Sequence, residues 1–173
     1  MCALSVQPLE PSSPLLAQIA ADQFEYWGPL TGFGSRSLYE SFLEQAVQSA
    51  ALPKVLIASI RGTLLGSVNL LMNDMTIRPQ FTPWMGQLFV AERQRSRGIG
   101  TALLDASTSY VGQLGYRQLF LFTSDTLPHY YRNRGWVDVE NVTYLGKVRT
   151  IMRREINTAL YATFFRSWPI ADM

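Results

Sequence analysis

The sequence predicts a single-domain α/β (α+β) protein, and three local patterns lead to this prediction. Two apolar runs flank the short turn Arg61-Gly62-Thr63, which indicates a β-hairpin. An apolar, strand-like run from Trp84 to Val90 leads through an arginine-rich turn into an amphipathic helical pattern. The nearly continuous apolar run Gln118 to Thr123 is typical of a central strand covered on both faces. A chain of 173 residues is long enough to bury one core of this kind.

Alternation, capping residues and breakers predict the elements before the hairpin. Leu4 to Leu9 alternates apolar and polar residues and is expected to form a first strand. Ser12-Ser13-Pro14 offers a capping serine and a proline for the first helical turn, so a helix should run from there to about Tyr26. A second helix is expected from about Ser37 to Ala50. Its predicted apolar face consists of Leu38, Phe42, Ala46 and Val47.

The segments after the hairpin complete the predicted order β-α-α-β-β-β-α-β-α-β-β. Asn73 to Pro83 is polar, contains two prolines and is interpreted as a loop close to a site. The spacing predicts a helix from about Arg97 to Leu114 and a short helix from about Thr126 to Arg134. The predicted face of the longer helix consists of Ile99, Leu103, Ala106, Tyr110 and Leu114. The remaining strands are expected at Trp136 to Tyr144 and at Lys147 to Glu155.

Composition excludes several classes of function. Hydrophobic residues make up 47% of the chain and charged residues 16%, which favours a globular protein over a disordered one. A net charge of +2, spread along the chain, gives no compact basic face for nucleic acid. The single cysteine, Cys2, allows no disulfide within one chain. No membrane-spanning run or signal peptide stands out, so we expect a cytoplasmic protein without a membrane or nucleic-acid partner. No metal is expected.

The turn between the strand and the long helix predicts a phosphate site. A glycine-rich turn that opens a helix presents unpaired N–H groups at the positive end of the helix dipole, where phosphate binds. Spacing separates the possible versions of such a turn. A P-loop needs a lysine after the second glycine, where Thr101 stands, and a dinucleotide fingerprint needs a third glycine, where Leu103 stands. The pattern that remains is Arg95-x-x-Gly98-x-Gly100.

That pattern resembles the Arg/Gln-x-x-Gly-x-Gly/Ala signature of the GNAT acyltransferase superfamily. Downstream, Tyr130-Tyr131-Arg132-Asn133-Arg134-Gly135-Trp136 looks like the Phe-Tyr-Glu-Lys-x-Gly-Phe segment of the same family. Thr82-Pro83-Trp84 also resembles a bacterial subgroup that keeps a Thr-Pro-Trp segment before the central strand, with Asn73-Asp74-Met75 slightly earlier. The order of predicted elements matches the GNAT order.

The resemblance implies a GNAT fold: a mixed, mostly antiparallel central sheet of about six to seven strands flanked by about four helices. It implies a domain over residues 1–156. Residues 157–173 then form a C-terminal extension that is apolar enough to need cover, on its own domain or on a partner such as a second copy in a homodimer.

The resemblance also implies an enzyme that transfers an acetyl group from acetyl-CoA to a primary amine of a small molecule or a peptide N-terminus, by direct attack in a ternary complex. The alternative is an acyl-CoA-binding regulatory or interaction module without turnover. In the family, main-chain groups of the strand before the turn, here Leu88, Phe89 and Val90, pair with the pantetheine arm. The turn holds the pyrophosphate, and its members here are Arg95, Ser96, Arg97, Gly98, Ile99, Gly100 and Thr101.

Tyr131 matches the family tyrosine that lies near the CoA sulfur, so the resemblance implies that it is the general acid. Ser124 occupies the position of a family asparagine that contacts CoA, although Asp125 or Thr126 could instead cap the following helix. A base must take the amine proton, and the candidates are Asp74 or Glu92, with the lone histidine, His129, expected to be structural. The candidate acceptor-binding residues are Trp27, Phe33, Asp74 and Trp84. The acceptor itself cannot be deduced from the sequence.

Overall fold

The protein folds around one seven-stranded sheet in a computed structural model that describes residues 3–161. The strands are β1 (Ser5–Pro8), β2 (Lys54–Ile60), β3 (Thr63–Leu71), β4 (Trp84–Val90), β5 (Gln118–Ser124), β6 (Val137–Tyr144) and β7 (Lys147–Glu155). The helices are α1 (Leu16–Trp27), α2 (Arg36–Gln48), α3 (Ile99–Gln113) and α4 (Pro128–Arg132). Short 3₁₀ turns lie at Gly28–Thr31, Glu92–Gln94 and Thr158–Leu160. The predicted mixed α/β fold and its order of elements are confirmed.

The sheet has the order β1-β2-β3-β4-β5-β7-β6, and every neighbouring pair is antiparallel except β4 and β5. These two strands are parallel and pair only where Trp84 lies opposite Phe120. Beyond Trp84 and Phe120 no further residues of these two strands are paired, so the sheet is open on the C-terminal side of β4 and β5. This opening positions the candidate site.

Both faces of the sheet are covered, which explains why β2 is buried along almost its whole length. Alternate side chains of β2 belong to different hydrophobic clusters. Leu56 and Ala58 pack with Leu103 of α3, whereas Val55 and Ile57 pack with residues of α1 and α2. The helices therefore lie on opposite faces, with α3 on one and the α1–α2 pair on the other.

Three details of the helices differ from the sequence prediction. Helix α1 begins at Leu16, two residues after the proposed proline, although Ser13 Oγ still accepts a hydrogen bond from Leu15 N at 3.3 Å. In α2 the buried face includes Tyr39 and Leu43, while Leu38 is 58% exposed. Ala46 and Val47 are buried as predicted, so the face is shifted by one residue only in the first half of the helix. Hydropathy did not indicate that the polar end of Tyr39 has buried hydrogen-bond partners.

The face of α3 was also misjudged towards its C-terminus. Leu104 and Val111 are buried, whereas Leu114 lies at the end of the helix and is exposed. Helix α4 has no side-chain cap, so the capping role suggested for Asp125 or Thr126 is wrong. The Thr126 hydroxyl lies 3.0 Å from that of Ser124 instead.

The beginning of the proposed C-terminal extension packs on the domain. Tyr161 packs on the hydrophobic cluster that contains Leu56 and Leu103. It also lies against Gly112 of α3, where an added Cβ would be 2.7 Å from Tyr161 Cδ2. The rest of the extension, residues 162–173, lies outside the described residues, as does Cys2. Between residues 3 and 161, no helix has the length and apolar character to cross a membrane, and no three His, Cys, Asp or Glu side chains group as metal ligands.

Candidate active site

A β-bulge in β4 shapes the opening between β4 and β5. Asn69 of β3 pairs with Gly86, but Ser67 pairs with Phe89, so β4 has one extra residue at this point. Gln87 takes up the irregularity with a φ of +49°, a conformation that non-glycine residues rarely adopt. The bulge turns β4 away from β5. Within residues 3–161, β3 is then the only strand that pairs with the second half of β4.

The first cavity, which we call the turn cavity, lies where β4 leads into α3. It has a volume of about 430 Å³, and its lining includes Arg95, Ser96, Gly98, Gly100 and Thr101. Gly98 has a φ of +79° and is the N-terminal cap of α3 without a side-chain hydrogen bond. The first helical bond runs from Ala102 N to Gly98 O at 2.9 Å, so the preceding N–H groups have no partner within the helix. These free N–H groups at the start of α3 can donate hydrogen bonds to an anion.

Three residues that the sequence had not suggested as site residues also line the turn cavity: Gln94, Tyr130 and Arg134. The Arg134 guanidinium lies 3.7 Å from the Tyr130 ring centroid and donates to Thr101 Oγ1 at 3.0 Å. The Tyr130 hydroxyl lies over Gly100, where a Cβ would be only 2.7 Å away. The contact between α4 and the start of α3 places Tyr130 at this cavity.

Arginine side chains in the turn have different orientations. Arg95 reaches back along the chain, donates from Nε to Val90 O at 3.1 Å and from Nη2 to Tyr26 Oη at 3.2 Å, and lines the turn cavity. Arg97 is exposed, bonds only to Gln94 Oε1 at 3.4 Å within the described part of the chain, and does not line the cavity. The turn cavity therefore combines helix N–H groups with two guanidinium groups, Arg95 and Arg134, which suits a pyrophosphate.

The second cavity, which we call the β4–β5 cavity, lies in the opening of the sheet and shares no lining residue with the turn cavity. Its volume is about 190 Å³. The loop before β4, the bulge, the end of β5, α4 and β7 all contribute to its wall. The lining side chains that bear on chemistry are Asp74, Gln87, Ser124, Tyr131 and Arg149.

Asp74 is fixed directly against the bulged strand. An added Cβ at Gly86 would lie 2.7 Å from Asp74 Oδ2, so only glycine allows the carboxylate to approach this close. Burial raises the pKa of Asp74 to about 6, and a hydrogen bond with the Gln87 side chain opposes that rise. The loop from Asn73 to Pro83 thus brings to the cavity a carboxylate that changes protonation state near neutral pH.

A buried polar network supports the bulge from behind. The Gln23 amide donates to Ser67 Oγ at 3.1 Å and to Gln87 O at 3.3 Å, and Tyr39 donates to Gln23 Oε1 at 2.6 Å. Asn69 Nδ2 completes the network with Gln87 Oε1 at 3.2 Å. Every member is at most 8% exposed. Because these amides and hydroxyls satisfy one another, they hold the strained residue Gln87 in place and, through it, Asp74.

Tyr131 enters the β4–β5 cavity from α4. Its ring packs at near right angles against Tyr130 and Trp136, with centroids 5.1 and 6.2 Å away. Burial, with a smaller contribution from Tyr130, raises the pKa of Tyr131 to about 12, while Arg134 acts in the opposite direction. The phenol therefore stays protonated at neutral pH and can donate a hydrogen bond.

Trp27, Leu88 and Ser124, which are also predicted site residues, line the β4–β5 cavity. Other candidates lie elsewhere. Trp84 is fully buried among Phe81, Phe120 and Phe122. Phe33 packs on Tyr39 and Phe42.

Three further candidates are also outside the β4–β5 cavity. Glu92 is exposed on a 3₁₀ turn. Phe89 contacts Tyr26, with ring centroids 5.5 Å apart. His129 is exposed, pairs with Asn133 at 3.1 Å and lines a different cavity beside Arg132. Asp74 is thus the candidate base that the fold brings together with Tyr131.

Comparison with known families identifies the class of protein that this architecture defines. The model of the acetyltransferase (GNAT) family matches residues 16–136. That range is more than half of the chain, so the protein belongs to the GNAT acetyltransferase family. Comparison with the curated proteins found no match.

Several solved structures share this fold at low sequence identity. An acetyltransferase of the GNAT family from Streptococcus pneumoniae is 18% identical, with 90% of this chain and 100% of that chain covered and a TM-score of 0.62. An aminoglycoside 6'-N-acetyltransferase complexed with coenzyme A is 16% identical, with 88% and 97% covered and a TM-score of 0.68. The yncA protein of Salmonella typhimurium with its cofactor acetyl-CoA is 13% identical, with 90% and 95% covered and a TM-score of 0.65. Membership of the family supports acyltransferase activity with an acyl-CoA donor.

Proposed function

We propose that this protein transfers an acetyl group from acetyl-CoA to a primary amine, on a small molecule or a peptide N-terminus, by direct attack in a ternary complex. The observation that carries the proposal is that Asp74 and Tyr131 line one cavity in the opening between β4 and β5. A base for the attacking amine and a donor for the departing sulfur are therefore available in the same small space. This proposal rests on family membership for the class of reaction and on these two side chains for its steps.

The residues present fit a CoA donor. The N–H groups at the start of α3, together with Arg95 and Arg134, would hold the pyrophosphate in the turn cavity. Leu88 to Val90 lie between the two cavities, on the strand edge that β5 has left, where a pantetheine arm would follow main-chain groups. Acetyl-CoA supplies an acyl carbon that is activated as a thioester.

Asp74 would act as the general base. An amine enters as its ammonium form and cannot attack until it loses a proton. A carboxylate with a pKa of about 6 is ionised at neutral pH and is a far stronger base than an ordinary aspartate with a pKa of 3.8. The contact with Gly86 holds this carboxylate beside β4, along which the thioester would lie.

Tyr131 would assist departure of the sulfur. In the overall step the N–C bond forms, the C–S bond breaks and its electron pair stays on sulfur. Asp74 would take one proton from the ammonium group before the attack and later release it to solvent. The Tyr131 hydroxyl would give its proton to the sulfur, so that CoA leaves as the thiol, and the resulting phenolate would regain a proton from the nitrogen as the amide forms. A phenol whose pKa is about 12 is fully protonated when the reaction begins.

A thiol-release assay tests the proposal. The wild-type protein is incubated with acetyl-CoA and a panel of small primary amines and peptides, and CoA thiol and acetylated product are measured together. We expect equal amounts of both, with rates that depend on the amine. Binding of acetyl-CoA without product from any amine would contradict the transferase function and favour an acyl-CoA-binding regulatory module.

A further inference from the structure

The β4–β5 cavity contains a second charged side chain that the proposed reaction does not use, Arg149 of β7. Its neighbours across the sheet are Ser124 of β5 and Val142 of β6. Arg149 lines the cavity together with Asp74 and Tyr131. Because β7 is hydrogen-bonded to β5 on one side and to β6 on the other, the backbone of Arg149 is held rigidly at the cavity wall.

The guanidinium of Arg149 is not satisfied by the protein. Its Nε is buried and has no hydrogen-bond partner, and no carboxylate within residues 3–161 forms an ion pair with it. Other arginines of the described chain contrast with it. Arg78 pairs with Glu140 at 2.6 Å, and Arg132 pairs with Asp138. Arg153 Nε, like Arg149 Nε, is buried without a hydrogen bond, but it lies 2.8 Å from Glu155 Oε1 in an ion pair and outside the cavity. Buried donors are normally paired, so an unpaired guanidinium in a cavity wall indicates a partner that arrives with a ligand.

The CoA phosphates are not that partner in this geometry. The turn cavity has its own guanidinium groups, Arg95 and Arg134, and shares no lining residue with the β4–β5 cavity. A group that reaches Arg149 would therefore belong to the acceptor.

The charges of the β4–β5 cavity define which acceptor fits. Among residues 3–161, Asp74 and Arg149 are the only charged side chains that line it, and the other described lining residues are neutral. Asp74 attracts the amine, and a guanidinium binds a carboxylate through two parallel N–H···O bonds. A second ammonium group, as in a polyamine, would instead be repelled by Arg149.

We propose that the acceptor is a small amine that also carries a carboxylate, such as an amino acid, and that Arg149 binds this carboxylate. The inference rests on the proposed function, because it assigns the two ends of the acceptor to the two charges of the same cavity. The volume of about 190 Å³ favours a small acceptor over a folded polypeptide.

The test compares each amino acid with its carboxamide and with the amine that lacks the carboxyl group. Binding is measured by isothermal titration on protein saturated with CoA, and turnover is measured by thiol release. We expect at least one amino acid to bind and react at least tenfold better than its two neutral analogues. The Arg149→Gln variant should lose this preference, so that the three compounds agree within about threefold, while its affinity for acetyl-CoA is unchanged.

A matched control is Arg153→Gln, which removes the same charge from the same strand but outside the cavity. It should retain the wild-type preference. If the wild-type protein acetylates neutral amines or polyamines as well as amino acids, or if Arg149→Gln keeps the preference, the carboxylate site is wrong and the transferase function stands. If amino acids bind in an Arg149-dependent way without turnover, the site stands and the transferase function is wrong. Absence of both binding and turnover for every amino acid overturns the carboxylate site.

Discussion

The two cavities of this protein are built in different ways. The turn cavity is formed largely by one continuous stretch, Arg95 to Thr101, and its anion-binding groups include main-chain N–H groups that every sequence possesses. The β4–β5 cavity collects side chains from a loop, two separated strands, a short helix and a third strand. In the proposed reaction, the turn cavity would serve any protein that binds a CoA pyrophosphate. The β4–β5 cavity depends on individual side chains and would determine which amine reacts.

Asp74 offers the largest test of this difference. Asp74→Asn should lower kcat/KM by about 10² to 10⁴, because the amine loses its base, and should leave the Kd for acetyl-CoA unchanged. The wild-type kcat/KM should rise with pH through about 6, where Asp74 loses its proton, and this limb should be absent from the variant. Glu92→Gln is the control, since Glu92 lies outside the cavity and should retain full activity. A larger loss of kcat/KM in Glu92→Gln than in Asp74→Asn would assign the role of general base to Glu92 instead of Asp74.

The same substitution should stabilise the fold. The folded-state pKa of Asp74 lies above the ordinary value of 3.8, so the folded protein binds this proton more tightly than the unfolded chain does. Its contribution is fully present below pH 4 and is lost as pH rises through about 6. Above pH 7, Asp74→Asn should therefore be more stable by about 1 to 3 kcal/mol, as measured by urea unfolding. A variant less stable than wild type would contradict the burial of this charge.

Gly98 in the turn cavity and Gly115 outside it form a matched pair that tests the turn cavity. Gly98 and Gly115 flank α3, both have positive φ (79° and 90°), and neither has a neighbour within 4 Å of an added Cβ. Gly98→Val and Gly115→Val should thus cost similar stability, about 1 to 3 kcal/mol. Only Gly98→Val should weaken acetyl-CoA binding, by about 100-fold or more, because a side chain would occupy the pyrophosphate position. Equal CoA affinity in the two variants would remove Gly98 from the site.

Adjacent tyrosines separate the two cavities at a single point of the chain. Tyr131→Phe should lower kcat by about 10- to 100-fold with little change in the affinity for acetyl-CoA, because it removes the donor to the sulfur. Tyr130→Phe, whose ring lies in the turn cavity, should change the affinity more than kcat. Because the pKa of Tyr131 is about 12, its ionisation should add no alkaline limb to the wild-type profile below pH 10. Equal effects on kcat and binding in the two variants would contradict this division.

Arg134 is expected to give the smallest effect. Arg134→Gln should raise the Kd for acetyl-CoA about three- to tenfold and reduce its dependence on salt, because one charge-assisted contact is lost while the helix N–H groups remain. Arg97→Gln is the control, since Arg97 is exposed and does not line the turn cavity. An equal salt dependence in both variants would assign no phosphate contact to Arg134.

Local sequence predicted the turn cavity better than the β4–β5 cavity, and the reason is physical. Gly98, Gly100 and Arg95 act at fixed spacing along one turn, so their arrangement can be read without knowing the rest of the fold. Tyr130 of α4 and Arg134 just after it reach the same cavity because they pack on the start of α3, and no local pattern indicates this contact. Arg149 was likewise indistinguishable from the other arginines of the chain.

The α/β class, the order of the strands and helices, and the strand-turn-helix proposed to bind an anion all follow from local patterns in the sequence. Periodicity and glycine spacing are local properties, and they suffice for these features. The bulge of β4 at Gln87 and its separation from β5 beyond Trp84 become visible in the folded chain. So does the cavity that Asp74, and not Glu92, shares with Tyr131 and with Arg149, whose Nε is unpaired. These features depend on contacts between residues far apart in the chain, and the raised pKa of Asp74 depends on its burial in the folded protein.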